Sequence, residues 1–214
     1  MATDVRGSSK DLVRDLEAWT PRWQKSQIFP VRYHGTEEEF FALPTNHRIE
    51  FADGRLEFLP MPTIYHQLIL KFLCYELDAF VTARKLGIVV TSGYKVRVRR
   101  GKYREPDILF IKAEHMSGIG KQYCKKVDLV MEVVSEENRP HDIAKKRAEY
   151  ERAGIPEYWI VDPEEETITV LTLQSRQKTY VEHGVFAKGT RATSKLLPGF
   201  SVDVTTALTQ KPEI

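Results

Sequence analysis

Cysteine is scarce in this chain: two residues in 214, Cys74 and Cys124, too far apart for a CxxC pair. That spacing argues against a zinc ribbon or a disulfide framework and for reduced thiols in the cytoplasm. Long apolar runs are missing too. No stretch approaches the roughly 20 residues of a membrane span, and the charged start has no signal-peptide core. The expectation is a soluble, cytoplasmic protein without a membrane partner. Neither charge sign dominates: 32 Lys and Arg against 30 Asp and Glu leave a net +2. A polyanion partner must therefore be argued from local clustering. The sequence contains no internal repeat and no low-complexity segment. What it does contain is 42% apolar residues, enough for a real core in one domain with an N-terminal appendage.

Residues 1–35 form that appendage, with Leu12, Leu16, Trp19 and Trp23 at helical spacing between charged positions. Its apolar stripe suits either packing on the chain's own body or a homodimer interface. The main domain is expected over 36–206, with a tail at 207–214. Thr36-Glu37-Glu38-Glu39 carries the capping-box pattern of a short helix. Alternation on both sides of Asp53-Gly54 signals a hairpin, which places Glu50 and Glu57 on paired strands. From Thr63 to about Lys85 the spacing is helical, with His66, Leu70, Leu73 and Leu77 on one stripe and Gly87 as the stop. A further helix runs from Pro140 to Gly154, and Pro156 prevents its continuation. Strands are expected at Ile88–Val90, Val96–Arg99, Tyr158–Val161 and Thr167–Leu173.

The most informative pattern is a pair of acids, each at the end of an apolar run: Pro106-Asp107-Ile108-Leu109-Phe110-Ile111 and Leu129-Val130-Met131-Glu132-Val133-Val134. Continuous apolar runs of this length read as neighbouring buried strands. Asp107 and Glu132 would then project carboxylates into one confined space. At a separation of about 5 Å and an effective dielectric near 20, their repulsion is on the order of 3 kcal/mol. A divalent cation removes that cost. Oxygen ligands suit magnesium or manganese and leave coordination positions for water and a substrate phosphate; the Val133 carbonyl is a further candidate ligand. In the following helix Asp142, Lys146 and Tyr150 recur at i, i+4 and i+8 and so share one side. A lysine there, Lys146 ahead of Lys145, would stabilise charge on the phosphate.

The order of Pro106-Asp107, Glu132-Val133-Val134-Ser135, Asp142, Lys146, Tyr150 and Gly154-Ile155-Pro156-Glu157-Tyr158-Trp159-Ile160-Val161-Asp162 resembles a large bacterial family of restriction-endonuclease-like proteins in the PD-(D/E)XK nuclease superfamily. The Asp53-Gly54 hairpin, the His66 helix and Leu197-Pro198-Gly199-Phe200 are similar to that family as well. The resemblance implies a mixed α/β fold, a central mixed β-sheet flanked by helices, and magnesium-dependent hydrolysis of DNA phosphodiester bonds, with manganese as a substitute ion. It also implies an acidic pair at Asp107 and Glu132. The superfamily's motif lysine, two residues after the second acid, is Val134 here, so Lys146 is expected to stand in. His66 matches a family position and is a candidate catalytic residue that touches phosphate or orients a ligand. Glu57, or Glu50 opposite it, is a candidate additional metal ligand.

Lys95, Arg97 and Arg99 alternate with Val96 and Val98, so one strand face carries the charges and the other enters a core. Arg100, Lys102 and Arg104 continue the run to Asp107. With Lys145 these residues are candidates for contacting nucleic-acid phosphates; a charged strand edge guarded against aggregation has the same pattern. Two other functions stay open: a catalytically weak or inactive nucleic-acid-binding module of the same fold, and a phosphatase or nucleotide hydrolase using the same site.

Overall fold

The computed structural model describes residues 35–43, 48–135, 139–174 and 176–210, apart from the side chains of 140–142. The expected N-terminal helix with Trp19 and Trp23 lies outside these residues. In chain order the elements are α1 (Glu37–Phe41), β1 (Ile49–Ala52), β2 (Arg55–Phe58), α2 (Ile64–Ala83), β3 (Gly87–Thr91), β4 (Lys95–Arg99), β5 (Lys102–Arg104), β6 (Ile108–Lys112), a 3-10 segment (Ala113–Gly118), β7 (Tyr123–Cys124), β8 (Leu129–Val133), α3 (Arg139–Ala153), β9 (Glu157–Asp162), β10 (Thr167–Gln174), β11 (Thr179–Ala187), β12 (Arg191–Thr193), β13 (Ser201–Asp203) and α4 (Val204–Leu208). They group into two compact units. Of the described residues, one unit holds those up to Met61 with Arg99–Glu105; the other holds Pro62–Val98 and those from Pro106 onward.

In the first unit α1 opens with the expected capping box: the Thr36 hydroxyl accepts from the Glu39 N–H, and the Glu39 carboxylate accepts from the Thr36 N–H. The β1–β2 hairpin turns on Asp53 and Gly54, both at positive φ (52° and 79°), as a type I′ turn requires. Glu50 stands directly opposite Glu57 across that hairpin. β5 pairs with the free side of β1, Phe51 opposite Tyr103. This pairing turns Arg104 inward, where its guanidinium donates to both Glu50 and Glu57 and is almost fully buried. Arg104 thus leaves the surface run of cations in which its sequence neighbours place it.

The second unit is built on a six-stranded sheet of order β11-β10-β9-β8-β6-β3. β8 and β9 are parallel, joined through α3, and the remaining pairs are antiparallel. Alternate residues of β6, β8 and β9 feed two separate cores. Ile108, Phe110, Leu129, Met131, Trp159 and Val161 pack with Ile69, Leu73, Leu77 and Val81 of α2, while Leu109, Ile111, Val130, Tyr158 and Ile160 pack with Tyr150 of α3. Both faces are covered, which is why these strands read as unbroken apolar runs. The mixed sheet flanked by helices is as expected.

Two helix ends show local chemistry at work. Gly154, at φ 76°, ends α3 as expected. α2 ends on Lys85 instead of Gly87: Lys85 takes the left-handed conformation, φ 55°, and the Leu86 N–H bonds the Val81 carbonyl. Gly87 already belongs to β3, where a Cβ would lie 2.0 Å from the Ile111 carbonyl oxygen. Among the described residues no helix is long and apolar enough to cross a membrane, and Cys74 and Cys124 are not bonded to each other.

Candidate active site

The β6–β8 ladder closes with Ile108 opposite Met131. One step further along this antiparallel register Asp107 meets Glu132. Both are buried, 4% and 5% exposed. Asp107 Oδ2 accepts the Val133 N–H at 2.9 Å, which ties the two strand ends together. His66 Nε2 lies 3.2 Å from the same oxygen. His66 reaches it from the first turn of α2, where its own N–H bonds the Thr63 cap hydroxyl. Its other ring nitrogen, Nδ1, is buried and is the one such side-chain atom without a partner among the described residues.

Glu132 is engaged from the other side of the sheet. α3 begins with Arg139 bonded to Asp162 at the end of β9 and runs back across the sheet. Two turns on, Lys146 Nζ donates to Glu132 Oε2 at 3.0 Å, and one further turn on the Tyr150 hydroxyl donates to Oε1 at 2.5 Å. The i, i+4 spacing puts both groups on the same carboxylate. The side chain of Asp142, expected on this side of the helix, lies outside the described residues.

The charges are unevenly shared. Burial pushes Glu132 up to about 7, and the charge of Asp107 adds to this, while Lys146 and Tyr150 act in the opposite sense. Burial would also raise Asp107, but the hydrogen bond and charge of His66, the Val133 N–H and the charge of Lys146 outweigh it and hold this carboxyl below its ordinary value. One member of the pair is thus a firm carboxylate and the other gives up its proton reluctantly.

The structure brings Asp107, Glu132, Val133, His66 and Lys146 together. Lys145 lies on the same helix, half-buried. Glu57 belongs to the other unit, where Arg104 donates to it. Val96 and Val98 of β4 are buried while Lys95 and Arg97 face partly outward, the alternation the sequence predicts. Arg99 pairs with Asp53 within the first unit. The direct bond from Tyr150 to Glu132 went unassigned in the sequence; its signal was the i+4 step from Lys146. Among the described residues no group of three or more His, Cys, Asp or Glu is arranged as a metal cage. A donor set of two carboxylates and a backbone carbonyl fits a hard cation that keeps several waters.

A family model described as "putative restriction endonuclease" (Uma2) matches residues 37–205, from α1 to α4. No curated protein matches the chain. Among solved structures it is similar to that of a putative nuclease belonging to DUF820 from Anabaena variabilis. The two are 17% identical, with a TM-score of 0.67 over 81% of this chain and 97% of the other. At that identity the likeness speaks for the fold.

Proposed function

The chain belongs to the Uma2 family of putative restriction endonucleases, and from that premise we propose that it hydrolyses phosphodiester bonds in DNA at the Asp107–Glu132 site with magnesium or manganese. The observation that carries this reading is the buried, facing pair of carboxylates with an ammonium at one end: Lys146 on Glu132, and Glu132 raised by both burial and Asp107. Asp107, Glu132 and the Val133 carbonyl would hold the ion. Bound there, it supplies counter-charge to the carboxylates and the substrate phosphate and lowers the pKa of a water. Lys146 stabilises charge as it builds on the phosphate, the part that Val134 is too apolar to play. Tyr150 and the Val133 N–H fix the two carboxylates, and His66 orients Asp107.

The test is metal-dependent cleavage of DNA by the purified chain. Asp107→Asn and Glu132→Gln should abolish it, and Lys146→Ala should slow it by about 10²–10³-fold, the usual loss for one charge-stabilising donor. Circular dichroism should remain unchanged. Equal rates in all three variants would sink the proposal. Metal-dependent DNA binding without cleavage would move the protein to the inactive-module reading that Val134 suggests.

A further inference from the structure

Two of the acid-free stretches in the sequence are brought together by the fold. No Asp or Glu occurs between Asp78 and Glu105, or between Glu114 and Asp128. The fold puts parts of both on one surface: β4 pairs in parallel with β7, Lys95 opposite Tyr123 and Val96 opposite Cys124. The loop around β7 is fastened there by the Tyr94 hydroxyl, which donates to the Gly120 carbonyl at 2.7 Å, and by the Arg97 guanidinium over the Tyr123 ring. The pairing adds exposed Lys121, Lys125 and Lys126 to Lys95 and Arg97. The surface also starts next to the site. The Ser92 N–H bonds the Asp107 carbonyl at 2.9 Å, and Lys95 is three residues on, within about 10 Å of that bond.

We propose that the β4–β7 surface is the track along which the backbone of duplex DNA reaches the Asp107 site, read through its phosphates and not its bases. The proposal rests on the hydrolase reading above and specifies its substrate as a duplex. Lys95 and Arg97, two residues apart on one strand face, present charges about 7 Å apart, and the loop lysines widen the row. A single-strand groove would show aromatic stacking platforms. Here the Tyr123 ring lies under Arg97, and the exposed aromatic residues among those described, Tyr65 and Tyr75, belong to α2.

The experiment measures binding of a short fluorescent duplex by the full chain carrying Asp107→Asn, with magnesium, over a series of salt concentrations. Each phosphate neutralised adds about 0.9 to the slope of log affinity against log salt. Replacing Lys121, Lys125 and Lys126 together by alanine should lower that slope by about 3. Replacing Lys71, Lys178 and Lys195, an equal change in net charge elsewhere on the chain, should leave it unchanged. Equal slopes for the two triple variants, or tighter binding of a single strand of the same length, overturns the proposal. Cleavage by the unmodified chain is scored separately. Duplex binding with the expected slope in a chain that does not cleave keeps the track and removes the hydrolase, whereas cleavage with an unaltered slope keeps the hydrolase and removes the track.

Discussion

Replacing Glu132 by glutamine tests the electrostatics of the carboxylate pair without any substrate. In the metal-free chain the Glu132 carboxyl titrates at about 7, against 4.5 for the ordinary group, because it is buried beside Asp107. A carboxyl raised on folding contributes its full stability below its unfolded value and loses it as pH climbs through the folded one. The metal-free wild type should therefore weaken between about pH 4.5 and 7, by on the order of 3 kcal/mol for a difference of this size. The substituted amide does not ionise. It also loses hydrogen-bond quality toward Lys146 and Tyr150, but that loss is present at every pH. The informative quantity is the change in the stability gap between variant and wild type from pH 5 to pH 8. Urea unfolding in the presence of a chelator measures it, and the gap should shift by about 2.5 kcal/mol in favour of Glu132→Gln. Magnesium or manganese at a hundred times its dissociation constant should then restore about 2.7 kcal/mol to the wild type at pH 8 and much less to the variant. A gap that is the same at both pH values, to within about 0.5 kcal/mol, would refute the claim that Glu132 ionises against a buried neighbouring charge.

Two further outcomes follow from groups outside the site. Glu157, fully buried, accepts from the Trp159 indole, the Ser194 hydroxyl and the Lys195 and Leu196 N–H groups. Glu157→Ala strands these four donors and should cost about 3–5 kcal/mol, seen as a drop of roughly 10 °C in Tm; a loss under about 1 kcal/mol would show that water replaces the carboxylate. Lys85→Gly removes a side chain from the left-handed end of α2 and should stabilise the chain by about 0.5–1 kcal/mol in thermal unfolding.

Local rules made much of the fold legible. The Thr36 capping box, the Asp53-Gly54 turn and the Gly154 stop depend on residues a few positions apart, and the structure has all three where the sequence puts them. The adjacency of the Asp107 and Glu132 strands was legible for a different reason: an apolar run with no polar alternation has to be covered on both faces, and so belongs in the middle of a sheet. Long-range partners left no such trace. Arg104 looks like one more surface cation until β5 docks on β1 and two facing glutamates claim it. Glu157 looks like the solvent-facing start of a strand, because its four donors include three from a loop nearly forty residues away. Lys85 ends its helix in a conformation that glycine usually fills, since Gly87 is needed where β3 crosses the Ile111 carbonyl. Within the site the acids and Lys146 were readable from periodicity, whereas the hold of His66 on Asp107 required knowing where α2 begins relative to β6.

The facing pair of Glu50 and Glu57 sets a schedule for assembly. The hairpin that carries them can be closed by the Asp53-Gly54 turn as soon as both strands have been synthesised, but their like charges oppose its burial. The guanidinium that reconciles them belongs to a residue 47 positions beyond Glu57 and 54 beyond Glu50. Both carboxylates therefore lack this counter-charge until Arg104, which lies beyond α2, β3 and β4 in the chain, has been made, and in the folded chain Glu57 keeps 27% of its side chain exposed.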